Sequence, residues 1–191
     1  MRVPAVDASL LRLHLDGLED EAELSGVEVT GDLSGAVAAH VELAGCRVVA
    51  ARFTGGRFES LRVTDCAFED CDLSGAMLRR AALTRVTMRQ CRPSGVVIDR
   101  SHLKDVRITD SKLDDANFRM AVGERVEFHD CLLPGADFAA ARLRPGLRLF
   151  DCDLRGAHFS TADLRGARLH GSQLDGLRGA EWLVDEAREA G

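Results

Sequence analysis

Several signatures are missing from this sequence, and each absence removes a class of protein. No apolar run approaches the roughly twenty residues that carry a helix across a bilayer, so no membrane contact is expected. The N-terminus shows no basic stretch followed by an apolar signal core, which makes a cytoplasmic location the expectation. There is no CxxC pair and no Cys/His ligand spacing, so no zinc is expected. A phosphate-binding glycine loop, a nucleophile elbow and a zinc-binding helix motif are all absent. The six histidines (His14, His40, His102, His129, His158, His170) are scattered. An enzyme needs polar groups converging on a concave site. Nothing in the chain supplies them, and the reading is a non-enzymatic protein with no cofactor, no metal and no small-molecule substrate. Lysine is nearly absent as well, with Lys104 and Lys112 only, so arginine carries almost all the positive charge.

What the sequence does have is a rhythm of five. Leu43, Val48, Phe53, Phe58, Val63, Phe68, Leu73 and Leu78 begin it, and Leu154, Phe159, Leu164, Leu169 and Leu174 end it. Neither common secondary structure buries such a period. In an α-helix, five steps of about 100° overshoot a turn by roughly 140°, so the stripe would wind around the axis. In a strand, an odd spacing sends successive members to opposite faces. The chain must turn a corner at every repeat.

Two residues before each large apolar position stands a second uncharged one, as at Cys46, Ala51, Cys66, Cys71, Ala76, Ala81, Cys91 and Ser101. One large and one mostly small inward residue per five fit a square coil of four sides, about twenty residues around, stacked at roughly 4.8 Å by strand-like pairing. All six cysteines (Cys46, Cys66, Cys71, Cys91, Cys131, Cys152) occupy the small position. They read as small buried hydrophobes and as free thiols, because parallel side chains on stacked coils are wrongly oriented for a disulfide. Pro93 and Gly123 replace the large residue, and Arg144-Pro145-Gly146-Leu147 adds one residue between repeats. Each predicts a local bulge or altered corner. Glycines gather at one corner, at Gly55, Gly75, Gly95, Gly135, Gly156 and Gly176, with Asp115 interrupting the column.

The segments Ala136-Asp137-Phe138, Ala162-Asp163-Leu164-Arg165-Gly166, Ala116-Asn117-Phe118 and Asp72-Leu73-Ser74-Gly75-Ala76 resemble the A(D/N)LxX signature of the pentapeptide-repeat family. In phase over about three quarters of the chain, they make the resemblance specific. It implies an all-β solenoid, a right-handed quadrilateral β-helix of stacked coils, closed here by a short C-terminal helix.

Three regions are expected. Residues 1–30 fit the register poorly and read as an N-terminal cap with irregular repeats. Within them Leu11, Leu13 and Leu15 alternate with polar residues as a strand ending at an Asp16-Gly17 turn. Residues 31–178 form the repeat β-helix, and residues 179–191 read as the helix. There Trp182, Leu183, Val184 and Ala187 are candidates either to cap the last coil or to meet a second copy. The family resemblance implies a homodimer through this region, and a simple end cap is an equal reading.

Net charge is −6, unevenly spread: residues 1–45 hold nine acids against Arg2 and Arg12, while the tail from Ala180 is −3. The coil body between them is about +4. Positions about twenty apart align Asp70, Gln90, Asp110, Asp130 and Asp151 into an acidic ridge. A neighbouring part of the cross-section collects Arg79, Arg80, Arg85, Arg100, Lys104, Arg119 and Arg125. Gyrase-binding members of the family are rods of duplex-like width whose acidic surface imitates DNA and protects the topoisomerase from quinolones. The resemblance thus implies DNA gyrase as partner, with Asp70, Asp110, Asp130 and Asp151 as the contact. About seven coils would match one turn of B-DNA, yet that duplex carries about twenty phosphates. A rigid interaction scaffold with no topoisomerase partner therefore stays open. Direct nucleic-acid binding is not expected, for want of surface aromatics and because the acidic ends repel a backbone.

Overall fold

The structure is a computed structural model that describes residues 1–4, 6 and 9–179. Among these the chain forms no helix and winds into a parallel β solenoid of about eight turns. The expected C-terminal helix, with Trp182, Leu183, Val184 and Ala187, lies outside the described residues.

Four ladders run the length of the rod, one per side. Taking the coil 61–80 as reference, the sides are 61–65, 66–70, 71–75 and 76–80. On the first side Arg62, Ala82, His102, Val122 and Arg142 are successive rungs. On the second, Ala67, Thr87, Arg107, Glu127, Arg148 and Arg168 follow one another. The third aligns Asp32, Arg52, Asp72 and Arg92, then Lys112, Leu132, Asp153 and Gln173. The fourth aligns Val37, Arg57, Met77, Val97, Asn117, Asp137, His158 and Arg178. A constant offset of one coil on every side is what makes the cross-section quadrilateral.

The core is the column of large residues predicted from the rhythm. Phe118, Phe138 and Phe159 stack face to face, with ring centroids 4.8 and 5.0 Å apart and planes parallel within 2°. Those distances measure the coil rise directly and equal the strand spacing of a hydrogen-bonded sheet. Each such side chain is fully buried, and burial of a phenylalanine or leucine is worth about 1.5–3 kcal/mol.

Every side ends in a residue with positive φ. At the third corner this is glycine, as in Gly75 (φ 64), and the Ala76 N–H closes the turn onto the Leu73 carbonyl at 3.0 Å. The Asp or Asn of the repeat signature has a matching local task. Asp72 Oδ1 accepts the Ser74 N–H at 2.9 Å, Asn117 Oδ1 that of Arg119 at 2.9 Å, and Asp137 Oδ1 that of Ala139 at 2.8 Å. A short side chain bonding the backbone two residues on favours a turn there.

Two expectations need correction. Pro93 and Gly123 make no bulge: Gly123 pairs in register with Leu103 and Leu143, and Pro93 is buried in the third-side core. At Pro93 the missing donor interrupts the ladder between Arg92 and Lys112, and Ser94 Oγ donates to the Lys112 carbonyl instead, at 3.3 Å. At Gly123, Leu103 and Leu143 already occupy the space a Cβ would need. The added residue at Arg144-Pro145-Gly146 does shift register, from Val122 against Arg142 to Glu127 against Arg148, and the Pro145 carbonyl there accepts the Arg125 N–H at 3.0 Å.

The cysteines are free and buried, but they are not merely hydrophobic. Just past a corner, the N–H of a small inward residue can find its acceptor on the side chain one coil on. Cys46 donates to Cys66 Sγ at 3.3 Å, Cys91 to Ser111 Oγ at 3.0 Å and Cys152 to Ser172 Oγ at 3.1 Å. The thiols donate in turn, Cys71 Sγ to the Val48 carbonyl at 3.4 Å. Contact with Cys46 and then burial hold the Cys66 thiol above the ordinary thiol range, which keeps it protonated.

At the N-terminal end the coils shorten. Leu24 and Val29 sit on Leu43 and Val48, nineteen residues on, and the strand Leu11–Leu15 lies parallel on Val27–Gly31, only sixteen away.

Candidate functional site

Asp70, Asp110, Asp130 and Asp151 fall on the second corner of successive coils, with Gln90 between the first two. All five have positive φ, from 50 to 55°, a conformation that aspartate tolerates better than most residues. Their backbones are fixed by one bond each to the coil below: Asp110 N–H to the His129 carbonyl at 3.1 Å, Asp130 to Phe150 at 3.0 Å, Asp151 to His170 at 2.9 Å. The side chains point to solvent. All are exposed, and none of the four carboxylates enters an ion pair among the described residues. Asp151 leans over Gly171, occupying the space that a side chain at 171 would require.

Two kinds of aspartate therefore share this surface. Those within a side, such as Asp72 and Asp137, are consumed by the turn they stabilise. Those on the second corner enter no ion pair among the described residues and present a row of like charges to solvent on a rigid backbone.

The basic column looks different in three dimensions than in the sequence, and its charge is largely cancelled. Arg80 bonds Glu59 at 2.6 Å, Arg119 bonds Asp137 at 3.0 Å, Lys104 bonds Glu124 at 3.1 Å, and Arg79 lies 3.5 Å from Asp99. Along the first corner, acid and base alternate as Asp65, Arg85, Asp105 and Arg125. Arg85 pairs with Asp65 and Arg125 with Asp105, the latter at 2.7 Å. The Arg125 hydrogen bond holds the Asp105 carboxyl down to about 2, with help from the backbone N–H of Arg2. Asp105 is only 4% exposed, so this pair is partly desolvated, whereas the solvent-facing pairs contribute at most about 1 kcal/mol each. Of that expected basic set, Arg100 alone has no carboxylate partner among the described residues.

Two acids escaped the sequence reading. Asp114 and Asp115 lie on the third side of the coil that carries Asp110. Asp114 accepts a hydrogen bond from Ser94 Oγ at 3.0 Å, and Asp115, with φ 54, takes the corner that is glycine in most other coils. That break in the glycine column was the available signal. Beside the ridge, the His129 ring lies 4.9 Å from that of Phe150 and tilted by 40°, and Phe150 pairs with His170 below. A depression of about 360 Å³ at the upper end of the ridge is lined by Arg52, Asp70, Asp72, Gln90 and Arg92.

Two family models match the repeat-bearing part of the chain. A family model described as "Pentapeptide repeat region" matches residues 61–138, and one described as "Pentapeptide repeats (8 copies)" matches residues 146–176; together they take in more than half of the chain. No curated protein matches it. Among solved structures, HetL, a pentapeptide repeat protein involved in heterocyst differentiation regulation from the cyanobacterium Nostoc sp. strain PCC 7120, is 19% identical, with 90% of each chain covered and a TM-score of 0.44. A trypsin-treated variant of QnrB1, a plasmid-mediated fluoroquinolone resistance protein, is 21% identical over 90% of this chain and 96% of that one, also with a TM-score of 0.44.

Proposed function

We propose, from the premise that this chain belongs to the pentapeptide-repeat family, that it acts by binding DNA gyrase as a mimic of duplex DNA and so modulates the enzyme or protects it from quinolone-type inhibitors. The observation that carries the reading is the column of unpaired carboxylates at Asp70, Asp110, Asp130 and Asp151, beside a basic column largely neutralised in place. At the 4.8–5.0 Å rise of the phenylalanine stack, those five rungs span about 20 Å, over which one strand of DNA carries about six phosphates. Asp114 and Asp115 bring the local acids to six. The ridge matches the edge of a single strand, so the overall positive balance of the coil body does not decide the question. In this reading the protein works in the cytoplasm, and two copies join through Trp182, Leu183, Val184 and Ala187 near the C-terminus.

The experiment is a supercoiling assay in which purified protein is titrated into gyrase with and without a fluoroquinolone, beside an unrelated acidic protein. Inhibition of supercoiling, or drug protection, at micromolar protein is the expected result. Absence of both at well above that concentration removes gyrase and leaves a rigid interaction scaffold.

A further inference from the structure

We infer that the first and second sides of the last two described coils form a second binding face, one that takes the phosphate backbone of duplex DNA. Five arginines lie there: Arg142, Arg144 and Arg148 on one coil, Arg165 and Arg168 on the next. The acids on the same two sides are Asp163 and, at the far corner, Asp151.

The ion pairs leave this face positive. Asp163 is shared by Arg144 at 3.0 Å and Arg165 at 2.8 Å. One coil above, the buried carboxylate of Glu127 is shared by Arg107 at 2.9 Å and Arg148 at 2.8 Å. Each acid thus fixes two guanidinium groups and neutralises one, leaving a held but unspent positive charge per triad. Arg142 and Arg168 are exposed and have no carboxylate partner among the described residues. The first corner, where acid and base cancel at Asp65, Arg85, Asp105 and Arg125, ends here, because the added residue at Arg144-Pro145-Gly146 displaces the next member of that series. The register shift at this insertion and the arginine cluster coincide.

A polyphosphate fits this face better than an acidic protein does. On the first side the surface between the arginines offers Pro145, Gly146 and Gly166 and no exposed aromatic or aliphatic anchor, and on the second the half-buried Phe150 and the exposed His170 are the aromatic groups present, whereas protein interfaces draw most of their energy from such anchors. Binding to a phosphate backbone is chiefly electrostatic and needs none. Bidentate guanidinium groups suit phosphate oxygens. The Asp ridge, at the far corner of the second side, repels a duplex and confines it towards the first corner, so the two faces do not compete for one ligand.

The test uses the full chain and a fluorescein-labelled 20-base-pair duplex, with anisotropy read between about 50 and 200 mM salt. Saturable binding at about 10⁻⁴ to 10⁻⁶ M is expected. Arg142→Ala/Arg168→Ala, which breaks no ion pair, should keep its thermal midpoint and lower the slope of log K against log salt by about 1.8, two phosphates' worth. Asp110→Asn/Asp130→Asn should leave that slope unchanged while weakening gyrase binding, which separates this face from the ridge. No saturable binding at low salt, or an unchanged slope in the arginine variant, overturns the proposal. Salt-sensitive self-association abolished by the same variant, without duplex binding, also overturns it and assigns the face to a second copy.

Discussion

Gly123 offers a substitution on which the repeat pattern and the packed structure disagree in sign. The pattern calls for a large apolar residue there, and restoring a consensus residue commonly adds about 0.5–2 kcal/mol of stability. By that logic Gly123→Leu stabilises the rod. The structure says otherwise. A Cβ on residue 123 would lie 2.5 Å from the Leu103 carbonyl oxygen, 3.0 Å from Leu103 Cβ and 3.2 Å from Leu143 Cδ2. The first of these is backbone of the strand His102–Thr109, held between Ala82–Arg89 and Val122–His129, and it cannot swing aside as a side chain would. Forcing atoms into a filled core costs about 1–3 kcal/mol. For a chain of this length that lowers the thermal midpoint by roughly 2–12 °C. Because coils contact only their neighbours, hydrogen exchange should show the lost protection in the three coils around residue 123 and little at Leu24 or Val29. Circular dichroism melts of Gly123→Ala and Gly123→Leu give the comparison, with the larger side chain expected to be worse. A midpoint that rises in Gly123→Leu refutes the packing argument.

Two further outcomes follow from the cross-coil contacts. Asp105 has its pKa depressed from 3.8 to about 2 by Arg125, so its contribution is complete above pH 3.8 and disappears as pH falls towards 2; the midpoint difference between wild type and Asp105→Asn should be present at pH 7 and close at pH 2, and a gap that persists at pH 2 contradicts the assignment. Ser111 Oγ is the acceptor for the buried Cys91 N–H, so Ser111→Ala should cost about 1–3 kcal/mol in urea titrations while Ser111→Cys, matching its column neighbours, costs less. Equal losses would mean that volume alone governs the position.

The five-residue rhythm made the corners, the core columns and the Asp ridge legible, because in a stacked coil position in sequence is position in space. Neutralisation of the basic column was harder to see, since Asp65 and Arg85 or Asp105 and Arg125 meet only when residues twenty apart are read as neighbours. The cysteines were read by volume, and their hydrogen bonds depend on where a corner N–H points, which no periodicity encodes. Gly123 and Pro93 were read as defects because a pattern cannot show neighbours filling a gap or Ser94 supplying a donor. The first coils hid their register by being nineteen and sixteen residues long rather than twenty.

The central claim is that the second-corner carboxylates are the contact with gyrase. Replacing Asp70, Asp110, Asp130 and Asp151 together by asparagine keeps side-chain shape and tolerance of positive φ and removes only charge. The decisive measurement is the affinity of immobilised gyrase for this variant and for wild type, at matched thermal midpoints. Loss of at least about tenfold, or 1.4 kcal/mol, is the predicted result; an unchanged affinity contradicts the account.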